Sequence, residues 1–427
     1  MKAVVIGNGI AGFSTASNLR RLNDQCDITM VAREATPLYS ACVLPDYIAG
    51  KIPRDHAFVK TERDYKHLRI NTLFGCEVTA IDADARRITL DNKKHLSFDR
   101  LVLATGSGAM VFGERKKGIF TLKTLQDADD ILKHKGRKAV VIGAGAIGIE
   151  IAIALYSQGY GVTIVEMMDQ ILPLGLDQTG ADKVKRMLED KGIAVFNGER
   201  AVQTSGEEWV EGLETNKREI ECDTLIWAIG MRPQVELAKQ AGISIGDKGG
   251  IRVDSHMETS ISGIYACGDC VESNDILTGE PYLNLFWHNA NRQGAVAAHN
   301  CLGRTKEYPG SQNILNVDVF GNHVAGFGFT EEGVYRFQDI PALQGKLSDL
   351  SIIEREQNGR YYRLMIVGDR WMGGQFINIT RDLGLLWSIM VKGRSIKELM
   401  KMFENEELMC CRPWLHRVRP FFHNKTH

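Results

Sequence analysis

Two stretches of this 427-residue chain carry glycines at a spacing that can hold phosphate. Residues 4–13 read VVIGNGIAGF and residues 140–149 read VVIGAGAIGI. Each sets out G-x-G-x-x-G, at Gly7, Gly9 and Gly12 and again at Gly143, Gly145 and Gly148, behind a β-branched run and ahead of a helix-forming segment. In such a loop the first glycine permits a tight turn, the second lets backbone approach a pyrophosphate, and the third lets helix and strand pack closely. The helix N-terminus then offers unpaired N–H groups to the phosphates. Glu166 closes the strand pattern YGVTIVEM, 23 residues after Gly143, where an acid can accept hydrogen bonds from ribose hydroxyls. Met167, Met168 and Asp169 follow it without a cation to balance a 2′-phosphate, so a dinucleotide with a free ribose is expected over a 2′-phosphorylated one. The first copy runs on through CDITMVARE to Arg33 and Glu34.

The elements that must position these residues are two Rossmann-like strand–helix–strand units. Two dinucleotide sites on one chain imply electron traffic, with hydride passing between a nicotinamide and a flavin. The bulk composition agrees: 44% hydrophobic and 25% charged residues describe an ordinary globular protein. At about 150 residues per domain the length suggests roughly three domains. A net charge of −1 gives no electrostatic case for nucleic acid. The apolar stretch AVVIGAGAIGIEIAIALY is broken by glycines and Glu150 and reads as a buried strand–turn–helix, not a membrane span. MKAVVIG enters a strand pattern at once, which leaves no room for a cleavable signal peptide. Nine scattered cysteines point to a reducing cytoplasm.

Further motifs stand in a fixed order along the chain. LVLATG ends a strand at Ala104, Thr105 and Gly106; TLQDADDI starts at Thr124; AIGMRP contains Gly230; YACGD ends in Asp269. With the two glycine loops, this series resembles the FAD- and NAD(P)-dependent pyridine nucleotide–disulfide oxidoreductases. The resemblance implies an α/β fold with two Rossmann-like domains, one for FAD and one for NAD(H), and a C-terminal α+β interface domain that dimerises. It implies an FAD domain in two segments, 1–108 and 237–310, around an NAD(H) domain at 109–236, with the interface domain at 311–427. Gly7, Gly9, Gly12, Glu34, Ala104, Thr105, Gly106 and Asp269 then serve FAD, the last through the flavin's sugar-alcohol chain. Gly143, Gly145, Gly148, Glu150, Glu166 and Gly230 serve the nicotinamide cofactor.

The stretch YSACVLPDYIAG is similar to the single-cysteine motif of coenzyme A-disulfide reductases and NADH oxidases, with Cys42 on the catalytic position and Leu44, Pro45, Tyr47, Ile48 and Gly50 matching around it. A thiolate there could carry a mixed disulfide, persulfide or sulfenic acid, at a pKa lowered by electropositive surroundings. Val43 replaces the motif's glycine, and WHNANRQGAVAAHN, from Trp287, is similar instead to rubredoxin-, ferredoxin- and nitrite-reductase flavoproteins. Two outcomes stay open: electrons pass to or from an iron–sulfur or rubredoxin-like partner, possibly with this chain as flavin subunit of a complex, or Cys42 reduces a disulfide or persulfide. A third, of another class, is a non-enzymatic redox sensor. Cys267 and Cys270 form a CxxC that the flavin-strand turn accounts for, and no metal site is expected. Arg20 and Arg21 could meet a coenzyme A phosphate or cap a solvated helix face. FGNHVAGFGF, YYRLMIVGD and WMGGQFINI read as strands, DLGLLWSIMVKG and SIKELMKMFENEE as helices, and the tail RPWLHRVRPFFHNKTH could dock a partner.

Overall fold

The computed structural model describes residues 1–331, 349–381 and 383–393. β1 (Lys2–Ile6) lies parallel to β2 (Asp27–Ala32), and α1 (Ile10–Leu22) makes the crossover. From Ala3 to Ile6 every residue of β1 is buried, which is why the strand reads as a continuous apolar run instead of alternating. The sheet runs Ile264–Ala266, Arg100–Leu103, β1, β2, Ile70–Phe74, so a strand from late in the chain completes a layer begun at residue 2.

Two of the short helices between the glycine loops matter for the site. α2 (Leu44–Ile48) comes directly after a 3₁₀ turn, Ala41–Val43. α3 (Leu125–Lys133) opens on a reciprocal cap, in which the Asp127 N–H donates to Thr124 Oγ1 at 3.1 Å and Asp127 Oδ2 accepts from the Thr124 N–H at 3.1 Å.

The second unit repeats the first. β3 (Lys138–Ile142), α4 (Ala146–Ser157) and β4 (Gly161–Val165) form a parallel crossover in a sheet of order Ala194–Phe196, β4, β3, Thr224–Trp227, Ile119–Thr121. The register is the same in both: Ile6 faces Val31 and Leu103, and Ile142 faces Val165 and Trp227. α5 (Trp287–Cys301) packs on α1 at a contact only glycine allows, since a Cβ on Gly294 would lie 2.3 Å from the Ala11 carbonyl oxygen.

By internal contacts the chain divides into two compact units, Met1–Pro173 with Ala181–Asn313, and Leu174–Gly180 with Ile314 onward. Both glycine loops belong to the first. The second contains an antiparallel sheet of order Ile314–Val319, Asn322–Gly328, Arg370–Ile377, Arg360–Val367, Leu350–Gln357, and the helix Leu383–Val391. The three strand readings near the C-terminus and the DLGLLWSIMVKG helix fall on these elements. The SIKELMKMFENEE pattern and the basic-aromatic tail lie outside the described residues. Among the described residues no helix is long and apolar enough to cross a membrane.

Candidate dinucleotide and redox site

The two glycine loops have nearly the same geometry. Gly7 and Gly143 take φ of +110° and +100°, a region that side chains with a Cβ avoid. A Cβ on Gly7 would sit 2.0 Å from the Ala104 carbonyl oxygen, and one on Gly143 would sit 2.4 Å from that of Ala228. Gly12 and Gly148 press helix on turn, where a Cβ would come within 2.0 Å of the Gly7 oxygen and 1.9 Å of the Gly143 oxygen. Gly9 and Gly145 differ in kind: a Cβ at either would meet nothing within 4 Å. The middle glycines therefore border open space at a helix N-terminus, as a pyrophosphate cradle requires, and the residues present fit two dinucleotides.

Beyond the first loop, Asp269 Oδ2 accepts from Ser107 Oγ at 2.9 Å and from Lys123 Nζ at 3.1 Å. Its side chain is 19% exposed, so the carboxylate is fixed while part of it can still be reached. Thr105 Oγ1 donates to the Gln234 carbonyl at 2.7 Å, and Gly106 takes φ +71° next to it. Gly106 and Gly230 both border open space at their Cβ positions. Ser107 and Lys123 escaped the sequence reading; Lys123 directly precedes the Thr124 cap, but nothing in its spacing points to Asp269.

Glu34 is not the counterpart of Glu166. With Ile6 opposite Val31 and Ile142 opposite Val165, the residue matching Glu166 is Ala32. Glu34 lies two residues further on, exposed, and accepts from the Tyr39 hydroxyl at 2.7 Å. Glu166 is buried, and each oxygen takes a backbone N–H, Ala144 at 2.6 Å and Met168 at 2.8 Å. It thus ties the second glycine loop to its own strand end, a role the spacing did not reveal. Tertiary structure also adds a cation absent from the linear neighbourhood: a Cβ on Gly198 would lie 3.7 Å from Lys217 Nζ and 3.1 Å from Asp169 Oδ1.

Glu150, in the first turns of α4, has a carboxyl pushed up to about 7, first by burial and then by the Asp46 carboxylate, against the pull of Lys51. Asp46 pairs with Lys51 at 3.0 Å. Cys42 is exposed in its turn. Its thiol is nevertheless held above the ordinary range by desolvation, with Glu150 and Asp269 adding to that and a hydrogen bond with Ser40 and the charge of Lys123 opposing it. The expected lowering is therefore reversed: two carboxylates and crowding outweigh one ammonium. The structure brings Cys42, Asp269, Lys123 and Glu150 into one electrostatic neighbourhood.

The CxxC cysteines read as packing. Cys267 and Cys270 are fully buried free thiols; Cys270 Sγ lies 3.3 Å from the Cys267 carbonyl oxygen, and burial pushes the Cys267 thiol up to about 12. Arg20, in the last turn of α1, donates from Nε to the Leu68 carbonyl and from Nη2 to that of Arg69, both at 2.8 Å.

Two glycine loops open at their middle positions and a fixed carboxylate near a cysteine turn form the arrangement that a redox enzyme using two dinucleotides requires. Residues 1–294 match the family model for pyridine nucleotide-disulphide oxidoreductases, and the chain belongs to that family. An NADH oxidase of Methanocaldococcus jannaschii is 37% identical over 380 residues, covering 85% of this chain and 82% of the relative. An assimilatory nitrate reductase electron transfer subunit of Bacillus subtilis is 29% identical over 95% of this chain, which spans only 51% of that protein. Among solved structures, an NAD-dependent persulfide reductase from A. fulgidus superposes with a TM-score of 0.87 at 30% identity, covering 93% of this chain and 78% of that one. The protein is an FAD-dependent NAD(P)H oxidoreductase, which sets aside the non-enzymatic reading.

Proposed function

We propose that this chain is an NADH:acceptor oxidoreductase that exchanges electrons with an iron–sulfur or rubredoxin-like protein, as a cytoplasmic homodimer or as the flavin subunit of a larger complex. Bound FAD supplies a centre that exchanges hydride with NAD(H) and passes electrons onward. In this reading Gly7, Gly9 and Gly12 hold the FAD pyrophosphate at the start of α1. Ala104, Thr105 and Gly106 line the flavin side, Glu34 serves the adenosine end, and Asp269 accepts from the sugar-alcohol chain. Gly143, Gly145 and Gly148 hold the NADH pyrophosphate, Glu166 receives its ribose, and Glu150 and Gly230 border the nicotinamide. The segments 1–108 and 237–310 make up the FAD domain, 109–236 the NAD(H) domain and 311–427 the interface domain.

The observation that carries this reading is the state of Cys42. A thiol relay works as the thiolate, and here desolvation, Glu150 and Asp269 favour the protonated form. The name of the Bacillus subtilis relative, an electron transfer subunit, is in keeping. A second reading, reduction of a disulfide or persulfide by Cys42, is favoured by the exposure of that thiol beside Asp269 and Lys123. Cys42→Ser separates the two. NADH:dye turnover nearly equal to that of the parent protein is expected. Retained FAD and retained flavin reduction by NADH, with dye turnover collapsed, would transfer the assignment to the thiol reading.

A further inference from the structure

The Cys42 turn is held from both sides by one helix. Three residues before Cys42, the Tyr39 hydroxyl accepts the Leu125 N–H of the first turn of α3 at 3.2 Å while donating to Glu34 at 2.7 Å. Five residues after it, the Tyr47 hydroxyl donates to Asp129 Oδ1 at 2.9 Å. Arg54 closes on the same carboxylate with a fork, Nε to Oδ1 at 3.0 Å and Nη2 to Oδ2 at 2.8 Å. Exposed ion pairs usually contribute little. This one is different in geometry: the Asp129 side chain is 15% exposed and takes a bidentate guanidinium and a phenol together. The fork, helped by Tyr47, holds the Asp129 carboxyl below the usual carboxylate range despite some desolvation.

The same helix reaches the other side of the site. Lys123, one residue before the Thr124 cap, sends its ammonium to Asp269. α3 and its cap therefore fix both the cysteine turn and the carboxylate assigned to the flavin, although Tyr47 and Asp129 are 82 residues apart and Lys123 and Asp269 are 146 apart.

We propose that Asp129 is a positioning residue for the redox site: through Tyr47 and Arg54 it holds the Cys42 turn in place against the Asp269–Lys123 pair. The proposal deepens the reading above, since it assumes that the flavin lies at Asp269. The role is to keep one geometry at the point where electrons leave, whether or not sulfur carries them. Loss of the clamp would loosen the turn on its Tyr47 side, while the Ser40 N–H still donates to the Ala57 carbonyl at 2.8 Å on the other.

The test uses the full-length, FAD-loaded protein and the rate at which iodoacetamide alkylates Cys42, quantified by peptide mass spectrometry with Cys76 as internal control. In Asp129→Asn and Tyr47→Phe, Cys42 should react about tenfold faster while Cys76 stays at the parent rate. The double variant should add little to either single one, as expected for members of one unit. Asp129→Glu, which keeps the carboxylate, should restore part of the protection. An unchanged Cys42 rate in both single variants would overturn the proposal. So would an equal acceleration at Cys76, which would mean general loosening. FAD content and flavin reduction by NADH are measured on the same samples; a parent protein that cannot bind FAD would instead defeat the flavin assignment.

Discussion

At the scale of single residues, carboxylates decide most of the behaviour. Glu166 has two duties, since its oxygens hold Ala144 and Met168 and the same group faces a ribose in the proposed pose. A 2′-phosphate brought to it would meet repulsion and lose hydrogen bonds, about 1–3 kcal/mol, or roughly ten- to hundredfold in favour of NADH. Stopped-flow reduction of the flavin by each cofactor measures the ratio. Equal constants would mean that the Lys217 ammonium near the Gly198 turn is enough to offset the carboxylate. Glu150 gives a pH signature with a definite sign. Its carboxyl lies at about 7 in the folded chain against an ordinary 4.5, so the fold prefers its protonated form. The stability it contributes is complete below pH 4.5 and is lost as pH rises through about 7. Glu150→Gln removes this titration, so its stability advantage over the parent should grow across that window in urea melts. A pH-independent difference between the two proteins would contradict the assignment.

At the scale of elements, the strand–turn–helix unit sets which glycine substitutions matter and how. Gly148→Ala would place a Cβ 1.9 Å from the Gly143 carbonyl oxygen, so α4 must move off its turn. The cost is that of overpacking, about 1–3 kcal/mol, seen as a lower melting temperature together with weaker NADH binding. Gly145→Ala meets no protein atom within 4 Å. It should melt near the parent value and lose NADH affinity alone, because its methyl group occupies the space a phosphate needs. Measuring melting temperature and NADH binding on both variants separates the two functions of one loop. Loss of stability without loss of NADH binding in Gly145→Ala would refute the cradle.

At the scale of the whole molecule, the sequence by itself determined the parts whose physics is local. The two G-x-G-x-x-G loops were legible because a tight turn, a close approach and a helix N-terminus all fall within ten residues. The parallel strands were legible because burial on both faces makes them continuous apolar runs, as in β1 and β3. Asp269 was legible only through its place in an ordered series of motifs. Tertiary structure decided what depends on pairing across distance. Register makes Ala32, not an acid, the counterpart of Glu166 in the first copy, which residue counting misses when two copies differ in crossover length. Ser107 and Lys123 around Asp269, and Asp129 between Tyr47 and Arg54, are contacts between segments far apart in sequence, and no periodicity marks them. As a relay, the Cys42 thiol was expected to be activated by the positive charge that a flavin site suggested. Its pKa instead rises through desolvation, Glu150 and Asp269, and desolvation together with field from remote carboxylates is a property of the folded chain that no stretch of sequence contains.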